Sequence, residues 1–189
     1  AIEDRRASDG EAVDHALAGD RMILSATQHD IGEEDPSPDK IYEVGTVAMI
    51  MRMLKLPDGR IRILAQGLAR IRIEHLAEGE PFLQARVDAI VEPDPPEPTL
   101  EVQALVRSAK EAMERIVGLG KAVSPEVLLL VANLEDPGRL ADLLASNLEL
   151  TVDDAQAILE LMDPMNRLRR VAEHMHREVQ LLTMQQEIS

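Results

Sequence analysis

The sequence predicts an α+β protein in which a small antiparallel β-barrel is followed by an α-helical bundle that ends in a long helix. Before residue 92 the apolar residues recur mostly at every second position, as in strands with one buried face. After residue 99 they recur at every third or fourth position, as in amphipathic helices. Between these regions the segment EPDPPEPT holds four prolines, which helix interiors and central strands exclude. We therefore assign residues 1–93 to the barrel with one short helix, 94–98 to a proline-rich linker and 99–189 to the helical subdomain.

The N-terminal region is predicted to begin with the short helix GEAVDHALAGD and to continue as strands. The strands are RMILSATQ, VGTVAMIMRML, RIRILAQ, LARIRIEH and FLQARVDAIVE, and no helix separates them, which is typical of a small barrel. The dipeptide Asp58-Gly59 is a strong hairpin turn signal. A hairpin with this turn is expected to bring five apolar side chains to one face: Ile50, Leu54, Leu56, Ile61 and Ile63.

The C-terminal region is predicted to form five helices with short connections. Three of them begin with a capping residue and a proline, at Ser124-Pro125, Asp136-Pro137 and Asp163-Pro164. The last helix starts at Asp163 and has no stop signal before Ser189, so we expect a strut that continues beyond this chain. Its apolar residues form a heptad seam that is a candidate for coiled-coil packing and assembly: Met165, Leu168, Ala172, Met175, Val179 and Leu182.

The charge and composition exclude several classes of function. The net charge of −15 argues against nucleic acid and anionic membrane surfaces, because both attract an excess of Lys and Arg. The longest apolar run, residues 127–132, is too short to span a bilayer. The start AIEDRRASDG is too charged for a signal peptide, and the chain has no cysteine. These features predict a cytoplasmic protein without disulfides.

A search of the sequence for catalytic, cofactor-binding and metal-binding residues predicts none. The stretch VGLGKAVS resembles a phosphate loop, but Ala122 stands where Ser or Thr should bind Mg²⁺, and a glycine-rich helix end is the simpler interpretation. His174 and His176 point to different helix faces, so solvated polar positions explain them better than a zinc site. We therefore expect no enzyme activity and no cofactor in this chain.

Three methionines are the candidate contacts to a protein substrate. In the strand MIMRML, Met49, Met51 and Met53 alternate with Ile50 and Leu54 and should occupy the opposite face. Flexible thioethers suit promiscuous apolar contacts, and an exposed apolar row marks an interaction site. The alternative, which such rows adopt more often, is that the methionines pack against the bundle or the first helix.

The chain resembles the N-terminal, substrate-binding region of bacterial Lon proteases, the ATP-dependent AAA+ proteases. The stretches that carry the resemblance cover nearly all of the sequence: ALAGDRMILSATQ, DPSPDKIYEVGTVAMI, MLKLPDGRIRILAQGLARIRI, LLASNLELTVDDAQAILELMDPMNRL and HREVQLLTMQQEI. The combination of IYEVGTVA and LKLPDG is fairly specific to this family. The helical stretches favour the full protease over small proteins that keep only the barrel.

The resemblance implies a PUA-like barrel joined to a helical bundle whose last helix leads toward the ATPase ring. It implies that the chain captures unfolded, damaged or degron-bearing proteins and assists a homohexamer, with the AAA+ and Ser-Lys protease domains downstream in the same polypeptide. The family begins with an apolar strand that we expect to precede this chain, which would leave an open barrel edge. Two alternatives remain, a stand-alone binding or adaptor protein and an enzyme in its own right.

Overall fold

The computed structural model of the protein describes residues 2–4, 7–30, 32, 36–77, 82 and 84–189. The chain forms two compact units, Ala1–Val91 and Glu92–Ser189. The first contains an antiparallel sheet and the second contains helices, which confirms the predicted α+β class. The proline-rich segment lies at the start of the second unit.

The first unit is built on one antiparallel sheet. Its elements are β1 (Ile2–Asp4), α1 (Ala7–Ala18), β2 (Met22–Ser25), β3 (Val44–Lys55), β4 (Ile61–Ala77) and β5 (Gln84–Ala89), with a 3₁₀ turn at Pro38–Lys40. Strand β2 pairs with β3, and β3 pairs with β4 over nearly its whole length. The two ends of the long β4 pair with β1 and β5. Strand β1 pairs with the beginning of β4, and the expectation that a further apolar strand precedes this chain stays a prediction.

The predicted hairpin turn joins β3 to β4. Gly59 has φ +87°, a conformation that glycine adopts at no steric cost. Its N–H donates to the Leu56 carbonyl at 3.0 Å, and the Leu56 N–H donates to the Arg60 carbonyl at 2.8 Å. The Asp58 carboxylate accepts the Arg60 N–H at 3.0 Å. The turn and its flanking strands confirm the hairpin.

The core of the first unit is small and lies between α1 and one face of the sheet. Its buried members are Val13 and Ala16 of α1, with Ile50 of β3 and Ile63 of β4. Five partly buried residues pack around them: Leu17, Ile23, Met53, Ile61 and Ala65. The apolar face of α1 thus covers the sheet at the hairpin, which leaves the opposite face of the hairpin without α1.

The second unit consists of five helices, as predicted. They are α2 (Leu100–Gly118), α3 (Pro125–Asn133), α4 (Pro137–Ala145), α5 (Val152–Leu159) and α6 (Pro164–Ile188). Each begins with a side chain that accepts a backbone N–H of the first turn, from Thr99, Ser124, Asp136, Thr151 and Asp163. These caps satisfy donors that have no partner inside the helix, so the local sequence fixes where each helix starts.

The core of the second unit is larger and surrounds α6, which packs against α2 and α4. Among its buried residues are Met113, Leu140, Leu144, Leu168 and Met175, all fully excluded from solvent. The six residues of the predicted heptad seam are buried or half-buried within this unit. The six seam residues therefore pack within the helical unit. An assembly role for α6 stays a prediction, and it would depend on the exposed residues of this helix instead.

Candidate functional site

A β-bulge interrupts β3 in the middle of the methionine-rich stretch. Ile50 pairs with Ala65 and Arg52 pairs with Leu64, so Met51 is one extra residue without a partner on β4. An extra residue reverses the alternation of side chains, because strand residues point to opposite faces with a period of two. The residues after the bulge therefore face the opposite side from the one that simple alternation predicts.

This bulge makes the prediction of a single methionine row wrong. Met53 packs into the core beside Ile50 and Ile63, while Leu54, which was predicted to lie in the core, is 56% exposed. Met51 is 48% exposed and Met49 is half-buried. Of the three predicted contact residues, only Met51 presents a largely accessible side chain.

The bulge creates an exposed surface of mixed character on the side of the hairpin away from α1. Arg52 pairs with Leu64, and two residues along each strand Leu54 pairs with Arg62. Residues two apart share a strand face, so all four side chains lie on one face of the sheet. Each leucine is directly across from one arginine and two residues from the other along its own strand. Leu64 is 48% exposed, and both arginines are exposed.

The same face extends onto β2. Met22 pairs with Met49, which lies on the side of β3 opposite Ile50, and Met22 is 40% exposed. We name this surface the outer hairpin face and define it by the residues Met22, Met49, Arg52, Leu54, Arg62 and Leu64. Met51 lies beside it in the bulge.

Arg21 holds the bulge from the end of α1. Its guanidinium donates hydrogen bonds to the carbonyls of Ile50 at 3.0 Å and Met51 at 3.2 Å. Its own N–H donates to the Ala16 carbonyl at 2.7 Å, which closes the end of α1. The φ of +65° is unusual for a residue with a side chain. One residue thus connects the end of α1 to the bulge that positions Met51.

The hairpin differs in charge from the rest of the protein. Residues 44–73 contain six basic side chains and one acidic one, although the whole chain has a net charge of −15. The acidic residue, Asp58, accepts the Arg60 N–H and its guanidinium, and these hydrogen bonds hold the pKa of the Asp58 carboxyl below its ordinary value. The outer hairpin face therefore lies on a basic segment of an acidic protein.

Two carboxyl groups meet at the other end of the sheet. Glu74 lies where the register of β4 and β5 shifts, and a hydrogen bond and charge repulsion from Asp88 raise the pKa of Glu74. Both side chains are exposed. This pair contributes to the pH dependence of the first unit rather than to a site of chemistry.

The second unit holds one buried cation, Arg167 of α6, which is 2% exposed. It pairs with Glu92 at 3.2 Å and with Asp142 at 3.2 Å, and it donates to the Leu161 carbonyl at 2.9 Å. A cavity of about 80 Å³ beside it is lined mainly by acidic residues and prolines. Because carboxylates and a carbonyl already surround the guanidinium, this arrangement anchors the proline-rich segment to the bundle.

Exposed apolar residues also occur on the helices. Leu129 and Leu130 of α3 are 64% and 58% exposed. Near the end of α6, Leu181, Met184 and Ile188 recur at spacings of three and four and are at least half exposed. These residues form an exposed apolar stripe at the C-terminal end of α6.

The described residues contain no group of three or more His, Cys, Asp or Glu side chains arranged to hold a metal ion. His174 is half-buried and His176 is exposed, on different faces of α6. His29 contacts the Tyr42 ring with centroids 4.1 Å apart, and His15 contacts Phe82 at 5.0 Å. In the described part of the chain, no helix is both long and apolar enough to cross a membrane.

Sequence reasoning missed Leu64, Arg21 and Arg167. A signal existed for Leu64, because Ile63 and Leu64 are adjacent in one strand and cannot both face the same core. Arg167 lies four residues before the buried Val171, and this spacing indicates the inward helix face. No local signal marks Arg21, because its partners lie about thirty residues away in the chain.

Comparison with known proteins gives consistent relationships. A model of the ATP-dependent protease La (LON) substrate-binding domain matches residues 4–177. The Lon protease of Geobacter metallireducens is 56% identical over 177 residues, which are 94% of this chain and 22% of that protein. The Lon protease of Aquifex aeolicus is 41% identical over 180 residues, 94% of this chain and 23% of that protein. The chain thus spans about a fifth of the length of the curated relatives that it matches.

Two solved structures share the fold. The N-terminal domain of Mycobacterium avium complex Lon protease superposes with a TM-score of 0.67 at 25% identity, covering 93% of this chain and 89% of that one. A Lon N-terminal domain protein from Xanthomonas campestris gives a TM-score of 0.60 at 15% identity, with coverage of 90% and 85%. The architecture is therefore that of known Lon N-terminal domains.

Proposed function

Because the chain belongs to the family of Lon substrate-binding domains, we propose that it captures unfolded, damaged or degron-bearing proteins for a protease without performing catalysis itself. The outer hairpin face is the site that supports this proposal best. It presents Leu54 and Leu64 at about half exposure on the paired strands β3 and β4, with the flexible thioether of Met51 beside them. Apolar side chains exposed next to one another on a sheet are typical of interaction surfaces.

The proposal extends to the longer protein to which the relatives point. We propose that the downstream part of the polypeptide carries AAA+ and protease domains, that the whole assembles as a homohexamer and that it acts in the cytoplasm. The support is that the matching Lon proteases are four to five times longer than the matched region. The exposed stripe of Leu181, Met184 and Ile188 on α6 is the surface available for contacts with such domains.

Binding of a permanently unfolded, fluorescently labelled protein tests the capture role. The variant Leu54→Ser, Leu64→Ser should weaken binding about thirtyfold, since each half-exposed leucine contributes roughly 1 kcal/mol when a partner covers it. The matched control is Leu129→Ser, Leu130→Ser, which removes two leucines of similar exposure from α3 and should change binding less than about twofold. Circular dichroism checks that both variants remain folded.

Two outcomes would contradict the proposal. Equal weakening by the hairpin and α3 variants would show that the outer hairpin face is not a specific site. Equal affinity of the unchanged chain for unfolded and native forms of the same protein would remove the capture function itself.

A further inference from the structure

We infer that the outer hairpin face selects apolar segments that carry acidic residues, rather than apolar segments in general. This inference rests on the proposed capture function and names the class of segment captured. The partner is an extended stretch of an unfolded protein in which leucine-like side chains alternate with, or are flanked by, Asp or Glu. Its basis is the arrangement of charge on the face and on the hairpin around it.

The geometry of the face places a cation next to each exposed leucine. Arg52 is directly across from Leu64, and Arg62 is directly across from Leu54. Directly opposite residues of an antiparallel pair have Cβ atoms about 5 Å apart. An extended segment that covers Leu54 and Leu64 therefore also passes within reach of the Arg52 guanidinium, which carboxylates bind with strong, charge-assisted hydrogen bonds. Arg62, which lies across from Glu3 of β1 on its other side, contributes to the local positive charge.

The surrounding charge strengthens this preference. The six basic residues and one acidic residue of segment 44–73 give the hairpin a net charge of +5, so the remainder of the chain carries −20. Such a separation attracts an acidic segment to the hairpin and repels it from the other surfaces. A basic segment meets the opposite conditions, because it is repelled at the hairpin and attracted elsewhere on the protein.

Nucleic acid fits the same features less well. Proteins that hold single strands combine a long basic groove with aromatic side chains on which bases stack. Segment 44–73 contains no aromatic residue, and the rest of the chain is strongly acidic. The exposed leucines, by contrast, match apolar side chains of a protein.

The test uses the full chain of 189 residues and three synthetic peptides that share one central apolar sequence. The flanks carry two Glu, two Gln or two Lys residues on each side. We expect the Glu-flanked peptide to bind about five- to tenfold more tightly than the Gln-flanked peptide, and the Lys-flanked peptide to bind most weakly. At about 1 M salt, where the screening length falls to roughly 3 Å, the three affinities should converge.

A double variant separates the local effect from the charge of the whole protein. Arg52→Gln, Arg62→Gln should bring the ratio of the affinities for the Glu-flanked and Gln-flanked peptides to about one, and this ratio is the readout, whatever the change in each affinity. The control is Arg107→Gln, Arg177→Gln, which changes the net charge equally at two exposed helical positions and should keep the preference. A labelled oligonucleotide is measured as a competitor.

Each outcome decides between the two proposals. Equal binding of the three peptides, with loss of binding in Leu54→Ser, Leu64→Ser, would overturn the acidic preference and keep the capture function. Failure of all three peptides to bind would remove both. If Arg107→Gln, Arg177→Gln abolishes the preference as strongly as Arg52→Gln, Arg62→Gln, the effect comes from the net charge of the protein and the inference is wrong. If the oligonucleotide displaces the Glu-flanked peptide at a lower concentration than the unlabelled peptide does, the face binds nucleic acid instead.

Discussion

The two units differ in the number of apolar residues that their cores bury. In the helical unit fifteen apolar residues form one buried core around α6. Among the described residues of the sheet unit, four apolar residues are buried in the cluster beneath α1, while the opposite face of the hairpin carries Met22, Leu54 and Leu64 exposed. The helical unit therefore buries more apolar surface in one core, and the exposed apolar residues of the sheet unit lie together on the face that we propose as the binding site.

The difference has a structural cause. Each helix has one apolar stripe, and the bundle buries most of these stripes in a shared core, although Leu129 and Leu130 of α3 stay exposed. A hairpin has two faces, and the bulge at Met51 transfers Leu54 from the core face to the outer face. The exposure of Leu54 is therefore a consequence of one extra residue in one strand.

The largest expected effect is a core truncation in the helical unit. Leu168→Ala removes a side chain with no solvent exposure and should lower the free energy of unfolding by about 2–5 kcal/mol, because it leaves a cavity. Leu64→Ala, in the sheet unit, should lower it by less than about 1 kcal/mol, since that side chain is half exposed. Urea denaturation of both variants measures the two free energies of unfolding, and similar losses would contradict the difference in packing between the two positions.

Removal of the buried cation should have the next largest effect. Arg167→Leu removes the hydrogen bonds to Glu92 and the Leu161 carbonyl and the cation near Asp142, and we expect a loss of about 1–3 kcal/mol. The control is Arg169→Leu, because Arg169 forms an exposed pair with Glu101 whose loss should cost under about 1 kcal/mol. If thermal unfolding finds equal costs, Arg167 does not anchor the proline-rich segment.

A smaller effect is expected where the sheet unit is strained. Arg21→Gly and Arg21→Ala both lose the hydrogen bonds to the bulge, but only glycine adopts φ +65° without cost. The glycine variant should therefore be more stable than the alanine variant by about 1 kcal/mol. In both variants the amides around Met51 should exchange hydrogen faster than in the unchanged chain, and unaltered exchange would show that Arg21 does not hold the bulge.

The smallest effect concerns the carboxyl pair on β4 and β5. The pKa of Glu74 is raised above its ordinary value of 4.5, so its contribution to stability is present below that pH and is lost as the pH rises through the folded pKa. Glu74→Gln should thus raise the melting temperature slightly at pH 7, by under about 3 °C, with no gain at pH 3. A gain for Glu74→Gln that persists at pH 3 would contradict this assignment.

Asp58→Asn should show the opposite pH dependence, because the folded pKa of Asp58 is lowered. The substitution should destabilise the protein at pH 7, and the loss of stability should fade in acid.

Much of the architecture was present in the sequence. The helix starts at Ser124, Asp136 and Asp163 could be predicted because caps and N-terminal prolines act through neighbouring residues. The turn at Asp58-Gly59 and the change of apolar period after the proline-rich segment are local in the same sense. The family resemblance was also carried by contiguous stretches, and the family model and the relatives confirm it.

The candidate site was predicted only in part. The sequence pointed to the correct strand, and Met51 is exposed there, but Met53 is in the core and Leu54 is outside it. A bulge depends on the register between two strands, and that register is set by contacts across the sheet rather than by the order of residues in one strand.

The α+β class, the helix starts, the hairpin turn and the acidic charge follow from the sequence alone, because each depends on composition or on residues close together in the chain. The exposure of particular apolar residues and the burial of Arg167 depend on the tertiary structure. Met51 and Leu54 are exposed through the bulge opposite Ala65 and Leu64. Arg167 is buried through partners up to 75 residues away, and such contacts exist only after the chain has folded.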